Sequence, residues 1–161
     1  MKELLLNYVK YNLWANDRIL GAIKNNPDTL DKEIISSFNS IRKTLYHLWD
    51  AETIWAKRLA GESMKMWPSK GYTGTNEEFY KAFLEQSEQF ISLVENMPAE
   101  KLSEIVNYTN TKGISFTATA AEMITHAINH ATFHRGQIVT MLRNAGVTEF
   151  PSTDYMGYIH K

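Results

Sequence analysis

A chain of 161 residues with 43% hydrophobic and 22% charged residues has the size and composition of a soluble globular protein, and we predict one domain over residues 1–161. Its formal net charge of −1 gives no electrostatic reason to expect nucleic acid or an anionic membrane as a partner. The absence of cysteine excludes disulfides, thiolate metal ligands and a cysteine nucleophile, so imidazole and oxygen would have to hold any metal ion.

The N-terminal segment has apolar residues at helical spacing from about Lys2 to Lys24, and this pattern stops before Pro27. Its uninterrupted apolar run is too short for a signal peptide, and no stretch of the sequence approaches the length of a membrane span. We therefore expect a cytoplasmic protein.

A second helix is predicted to begin after Ser40, which is a favourable N-cap residue, and to end near Ala60 with Gly61 as the stop. The connection that follows is rich in glycine and contains Pro68. A third helix should follow the capping box of Thr75 and Glu78 and end at about Met97, before Pro98.

Residues 102–117 are rich in β-branched and aromatic types and alternate only partly, which predicts an irregular segment or a short hairpin. Thr119 and Glu122 then form a second capping box, and a fourth helix should run to Ala145, before Gly146. The aromatic tail is expected to pack back on the body. Four amphipathic helices with long 2–3 and 3–4 connections predict an all-α protein, a four-helix bundle.

The fourth helix carries a histidine at every fourth position, at His126, His130 and His134. Residues four apart on a helix differ by roughly 40° around the axis and about 6 Å along it. Two neighbouring imidazoles can therefore share an ion, whereas three successive ones would struggle to converge. His134 lies within the apolar arc of the helix and His130 at its edge, so we assign these two to the ion and leave His126 nearby.

A tight site needs a further ligand from another element, and the remaining histidines are His47 and His160. His47 lies at the edge of an apolar stripe on the second helix, where it could also be a hydrogen-bonded core residue. The inward-facing pair on the fourth helix favours a shared site. His160 is one residue from the C-terminus and is expected to be solvated.

The residues after His134 also have two interpretations. Arg135 and Gln137 are either surface residues or neighbours of the site, and Gln137 lies on the same side of the helix as His130. Glycine inside a helix costs about 1 kcal/mol relative to alanine. Gly136 therefore predicts a backbone or bulky ring that lies very close to it.

Five stretches, taken in order, resemble the DinB/YfiT-like superfamily of metal-binding four-helix bundles, and the resemblance spans essentially the whole chain. They are YNLWANDRIL from Tyr11, LYHLWDAETIWAKRLAG from Leu45, TNTKGISFTAT, HAINHATFHRGQIVTMLRNAG from His126, and STDYMGY near the end. The resemblance implies up-down-down-up topology and a homodimer. It also implies a divalent metal, most often zinc or nickel, bound by His47, His130 and His134, with His126 outside the ligand set.

The resemblance is less definite about function. Some relatives are thiol-dependent transferases or isomerases that use bacillithiol, mycothiol or similar cofactors. Others are damage-inducible proteins of unassigned activity or have been described as metal-dependent hydrolases. Three neutral imidazoles leave a divalent ion with open coordination, which is typical of catalytic rather than structural sites.

An ion with open coordination can activate a bound water or a bound thiol. A hydrolase also needs a general base, for which Glu52 is the candidate, and Gln137 is a candidate catalytic residue that would border the site. Asp50 and Glu52 could instead be solvated or in salt bridges, and Asp50 could orient His47. The lack of a compelling base favours a thiol-dependent S-transferase that acts on a small electrophilic molecule. A metal-dependent hydrolase and a non-enzymatic metal-binding protein remain as alternatives.

Overall fold

The structure is a computed structural model that describes residues 1–62, 64, 66–110 and 112–161. Ser63 and Lys65 of the predicted 2–3 connection, and Thr111 of the predicted hairpin segment, lie outside the described residues. The elements are, in order, α1 (Lys2–Lys24), α2 (Ile41–Leu59), α3 (Asn76–Asn96), β1 (Ile105–Thr109), β2 (Ser115–Thr119), α4 (Ala120–Asn144) and α5 (Tyr155–Ile159).

The helices begin and end where local sequence signals predicted. In each capping box the threonine side chain accepts from the backbone of the glutamate three residues later, and that glutamate side chain accepts from the threonine backbone. Gly61 and Gly146 follow α2 and α4 with φ of 76° and 97°, the left-handed region that favours glycine. The two capping boxes are Thr75 with Glu78 and Thr119 with Glu122.

Contacts along the helices give their directions. The Tyr8 hydroxyl donates to Asn129, and Arg135 donates to Asn16, so α1 and α4 run parallel. The Asn16 amide also donates to Ser87, and Lys24 pairs with Glu77 earlier on α3, so α1 and α3 run antiparallel. Two contacts give the direction of α2 relative to α3, Arg42 with Asn76 and Tyr46 with Phe79. Two others give its direction relative to α4, His47 with His130 and Trp55 with His126.

From these contacts α2 runs parallel to α3 and antiparallel to α4. The up-down-down-up topology implied by the family resemblance is therefore confirmed. Parallel neighbours need a connection that returns along the length of the bundle, which explains the long segment between Leu59 and Asn76. The all-α prediction is also confirmed for the body of the protein.

The segment between α3 and α4 forms the short hairpin that the sequence allowed as one of two outcomes. Strands β1 and β2 pair antiparallel, with Ile105 opposite Thr119 and Thr109 opposite Ser115. The Arg58 guanidinium at the end of α2 donates to the Thr109 carbonyl oxygen at 3.0 Å. The hairpin therefore lies beside the C-terminal end of α2.

The aromatic tail packs on the bundle, as predicted. The Tyr155 ring of α5 stands edge-on to the Tyr11 ring of α1 at 5.1 Å, and the Tyr11 hydroxyl donates to the Thr153 carbonyl oxygen at 2.9 Å. Among the described residues, none of the helices combines the length and the apolarity that crossing a bilayer requires.

Candidate metal centre

Three histidines meet at the seam between α2 and α4. One potential ligand nitrogen from each of His47, His130 and His134 lies within 4.8 Å of the others. Nε2 of His47 lies 2.9 Å from Nε2 of His130. Because α2 and α4 are antiparallel neighbours, one histidine on α2 faces two histidines that are one turn apart on α4. The structure thus brings together the three residues that the family resemblance implied.

The nitrogen spacing fits a divalent metal ion. Zn–N bonds of about 2.0–2.1 Å in tetrahedral geometry put ligand nitrogens roughly 3.3–3.4 Å apart. One separation in the structure is 2.9 Å and all of them are within 4.8 Å, so each lies within about 1.5 Å of that value. Small rotations of the rings would therefore suffice, and the three-histidine group could hold a metal ion.

The environment keeps these imidazoles neutral at physiological pH. Burial, followed by repulsion from His134, lowers the pKa of His47 to about 4. The same two causes, with smaller effects from His47 and His126, lower the pKa of His130 to about 4. Burial also lowers the pKa of His134, opposed by its hydrogen bond to Gln137. Neutral imidazole is the form that binds metal, so protons do not compete for the site near pH 7.

Gln137 fixes the ring of His134. Its amide oxygen lies 2.7 Å from Nδ1 of His134, and its amide nitrogen donates to the hydroxyl of Ser37 at 2.7 Å. An amide oxygen can only accept, so Nδ1 of His134 carries the proton and Nε2 keeps its lone pair for an ion. Gln137 therefore lies beside the three-histidine group, and its contact is with His134 itself.

We expect Gln137→Leu to weaken zinc binding by about 10–100-fold, the usual effect of removing the partner that orients a ligating histidine. Competition against a chromophoric chelator measures the zinc affinity directly. Gln137→Glu keeps an oxygen acceptor for Nδ1 and should retain most of the affinity. Equal zinc affinity in Gln137→Leu and the unaltered protein would show that His134 needs no such support.

Two aromatic rings border the histidine group. The Phe38 ring, from the connection between α1 and α2, lies 4.4 Å from the His47 ring and 5.7 Å from the His134 ring. Phe133 lies 5.0 Å from His134 and is 62% exposed. His134 is buried and His47 and His130 are each partly exposed, so the group lies at the edge of the bundle beside two apolar rings.

His126 lies outside the group, as both the helix phase and the resemblance predicted. Its ring is 6.0 Å from that of His130 and packs instead against Trp55 at 4.6 Å. His160 is exposed at the C-terminal end of the chain, as expected.

The structure does not bring Glu52 to the histidines. Glu52 is five residues after His47, so the two side chains point about 140° apart around α2. Its carboxylate is buried inside the bundle, where it accepts from the Asn12 amide at 3.1 Å.

The role suggested for Asp50 as the partner of His47 is wrong. Both oxygens of Asp50 accept from the backbone and hydroxyl of Ser69, so Asp50 anchors the 2–3 connection.

A buried polar network between α4, α1 and α2 was not predicted from the sequence. Arg135, which sequence left open as a surface residue, is 2% exposed and donates to Asn12 at 2.5 Å and to Asn16 at 2.8 Å. Asn12 therefore bridges Arg135 to Glu52. The available signal was the position of both asparagines, four residues apart on the buried face that Ala15 and Ile19 define.

Glu52 holds its proton unusually strongly. Burial raises the pKa of Glu52 to about 7, against the opposing effects of hydrogen bonds from Ser87 and Asn12 and of the Arg135 charge. Within the described part of the chain, Oε1 of Glu52 and Nε of Arg135 are buried without a hydrogen-bond partner. The network therefore joins a guanidinium to a carboxyl group that stays protonated up to about pH 7, and it is incompletely paired.

Glu52→Gln should stabilise the protein in a pH-dependent way. The folded protein keeps the Glu52 proton up to about pH 7, whereas the unfolded chain loses it near the ordinary value of 4.5. The free energy of unfolding of the unaltered protein therefore falls as the pH rises through this window. The difference between variant and unaltered protein should be small at pH 4 and about 3 kcal/mol at pH 8.

Urea unfolding of both proteins between pH 4 and pH 8 measures this difference, and the shared histidine titrations cancel in it. Glu85→Gln is a matched control because Glu85 is an exposed glutamate that pairs with Lys81 at the surface. Its difference should stay within about 0.5 kcal/mol throughout. A Glu52→Gln difference that does not change with pH would mean that Glu52 ionises normally.

The prediction for Gly136 is wrong. A Cβ built on Gly136 would meet no atom within 4 Å beyond the backbone of its own helix, and the residue is exposed. Gly136 follows the inward-facing Arg135 by about 100° around α4 and faces outward, so no close packing requires glycine there.

Comparisons with known proteins agree on the family and the fold. A family model described as the DinB family matches residues 1–161. A relative named Protein DinB, from Bacillus subtilis (strain 168), is 29% identical over 167 residues that cover 99% of this chain and 95% of the relative. The crystal structure of a DinB-like protein from Bacillus subtilis has a TM-score of 0.63 at 15% identity, covering 95% of this chain and 96% of that one. At that identity the structural likeness shows the fold alone.

Proposed function

This chain belongs to the DinB family, and from that membership and the three-histidine group we propose that it is a metal-dependent enzyme that transfers a small thiol to an electrophilic small molecule. The observation that carries the proposal is the convergence of His47, His130 and His134 within 4.8 Å. Three neutral imidazoles suit zinc or nickel, and they leave coordination positions free.

A divalent ion in such a site supplies Lewis acidity, which lowers the pKa of a water or thiol that binds to it. The chain itself supplies geometry and environment. Gln137 holds the proton on Nδ1 of His134 and so presents Nε2. Phe38 and Phe133 place apolar surface beside the histidines, which limits access of water and offers contact to an apolar electrophile.

We favour a thiol over water as the nucleophile because the nearby carboxylates of α2 are not available as a general base. Hydrolysis normally needs a general base within hydrogen-bond reach of the attacking water. Among the described residues, the three-histidine group includes no carboxylate. The nearby acidic residues of α2 are engaged elsewhere, Asp50 with Ser69 and Glu52 with Asn12. A thiol with a lowered pKa is a nucleophile without such a base.

The protein has no cysteine, so the thiol is a second small-molecule substrate. In the net reaction a carbon–sulfur bond forms and the thiol proton is released. The leaving group departs from the electrophilic carbon with the electron pair of the broken bond. Oxidation states are unchanged, so no oxidant or reductant is required.

The test uses zinc-loaded protein, the same protein stripped by chelation, and a chromogenic aryl halide as electrophile. Bacillithiol, glutathione and coenzyme A are supplied in turn. We expect at least one thiol to react faster with zinc-loaded protein than with stripped protein, and reloading zinc should restore the rate.

Failure of all three thiols to react faster would contradict the proposal. A nitrophenyl ester supplied without thiol tests hydrolysis in the same preparations. Zinc-dependent turnover of that ester, with no effect of thiols, would favour the hydrolase. Strong loss of thermal stability on chelation with no turnover of either kind would favour a structural role for the metal.

A further inference from the structure

A row of rings leads away from the histidine group along the seam between α2 and α4. His126 lies 6.0 Å from His130, and Trp55 lies 4.6 Å from His126. Tyr108 of the hairpin stands edge-on to Trp55 at 5.4 Å. The Arg58 guanidinium lies over both of these last rings, 4.6 Å from the centre of Trp55 and 4.8 Å from the centre of Tyr108.

The Arg58 guanidinium is held by a hydrogen bond, and its positive charge is not paired with a carboxylate among the described residues. One of its nitrogens donates to the Thr109 carbonyl oxygen at 3.0 Å. Across residues 1–62, 64, 66–110 and 112–161, no carboxylate lies within ion-pair distance of the Arg58 guanidinium. Burial against the rings lowers the pKa of Arg58. A half-buried guanidinium that lies against two aromatic rings and keeps further N–H donors beside its bond to Thr109 is preorganised for a carboxylate or phosphate.

The distance from Arg58 to the histidine group matches the length of a small thiol. The Arg58 guanidinium lies over the ring of Trp55, which is eight residues after His47, or about 12 Å along α2. Extended peptide-like molecules span about 3.3–3.6 Å per residue. In glutathione the sulfur is on the central residue, so about two residues, or roughly 7 Å, separate it from an acidic end. A metal–thiolate bond of about 2.3 Å and a charge-assisted hydrogen bond of about 2.8 Å bring the total reach to about 12 Å.

We propose that Arg58 is an anion subsite that binds the carboxylate or phosphate of the thiol that occupies the histidine site, with Trp55 and His126 lining the path between them. This inference rests on the proposed function, because it assigns the thiol to that path. It identifies the thiol as an acidic one and gives His126, which is outside the ligand group, a place in the binding surface.

Arg58 also joins α2 to the hairpin through Thr109, so a purely structural role must be separated from anion binding. Glutathione and its diethyl ester form a suitable pair of probes, because the ester keeps the thiol and loses the carboxylate charges. Isothermal titration calorimetry of zinc-loaded protein gives the Kd of each probe without any turnover. Arg58→Met removes the charge and keeps an unbranched stem against the rings.

We expect the unaltered protein to bind glutathione at least about tenfold more tightly than the ester, as for hydrogen bonds to a charged group. Arg58→Met should abolish that preference while leaving the Kd of the ester unchanged. Arg58→Lys, which keeps the charge without the fork, should retain part of the preference. Arg18→Met is the matched control, since Arg18 also lies over a tryptophan ring and donates to a carbonyl oxygen, on α1.

Equal loss of glutathione and ester binding in Arg58→Met would assign a structural role alone and overturn the proposal. Glutathione binding no tighter than ester binding in the unaltered protein, including no binding of either, would overturn it as well. The proposed function fails separately: a charge preference that depends on Arg58 without any thiol transfer would keep the subsite and remove the reaction. Thiol transfer at an unchanged rate in Arg58→Met, with no charge preference in binding, would keep the reaction and remove the subsite.

Discussion

A His47→Ala variant is expected to bind zinc at least about a hundredfold more weakly than the unaltered protein. Losing a partner that merely orients a ligating histidine costs about 10–100-fold, and losing a residue that contacts the ion should cost more. His47 is the member of the group that comes from α2. Without it the ion would keep His130 and His134 on one helix, and α2 and α4 would no longer be joined through the metal.

Competition with a chromophoric chelator, together with elemental analysis of purified protein, measures this loss. His126→Ala is the matched control, because His126 is on the same helix one turn from His130 and outside the group. It should keep both zinc content and affinity. Full zinc content in His47→Ala would contradict the three-histidine assignment, and equal losses in both variants would mean that the ligand set is different.

The features that sequence predicted correctly depend on local geometry. Capping boxes involve residues three apart, and the helix stops depend on the backbone freedom of Gly61 and Gly146. The 3.6-residue period and the position of the apolar arc also placed His130 and His134 together and His126 outside the group, while their role as metal ligands stays a prediction. For His47 the inward-facing pair favoured a shared site, spacing left a core histidine as the alternative, and the family resemblance supported the shared site.

The features that sequence missed depend on which helices become neighbours. Arg135 meets Asn12 and Asn16 across more than one hundred positions of the chain, and no local pattern contains that contact. Glu52 looked like a base because it is near His47 in sequence. Its direction, however, is toward α1 and the asparagine that Arg135 also contacts. The predicted close packing at Gly136 was wrong because an exposed glycine and a tightly packed one look alike in sequence.

The H-R-G-Q stretch divides its residues between two environments on different faces of α4. Successive residues differ by about 100° around a helix, so His134 faces the histidine group while Arg135 faces the polar interior. Gln137 returns to the side of His134 and holds its ring. The motif therefore couples the site to the core, because the residue next to a potential metal ligand is the charged centre of a buried network.

Arg135→Met should destabilise the protein by about 3–5 kcal/mol at pH 8, the usual cost of removing one partner from a buried charged pair. The guanidinium donates to Asn12, Asn16 and Thr132, and its charge favours the ionised form of Glu52. Methionine fills much of the same volume but provides no donor. Glu52 would then be buried with less compensation, so its pKa should rise further.

Urea unfolding at pH 8 measures the effect, and Arg143→Met is the matched control. Arg143 is two turns later on α4, exposed, and lies over the Phe150 ring at 4.7 Å, so its loss should cost no more than about 1 kcal/mol. The double variant Arg135→Met with Glu52→Gln should recover part of the lost stability, because it removes the uncompensated carboxylate. If Arg135→Met were no more destabilising than Arg143→Met, the buried network would contribute little to the fold, and its place between the helices would need another explanation.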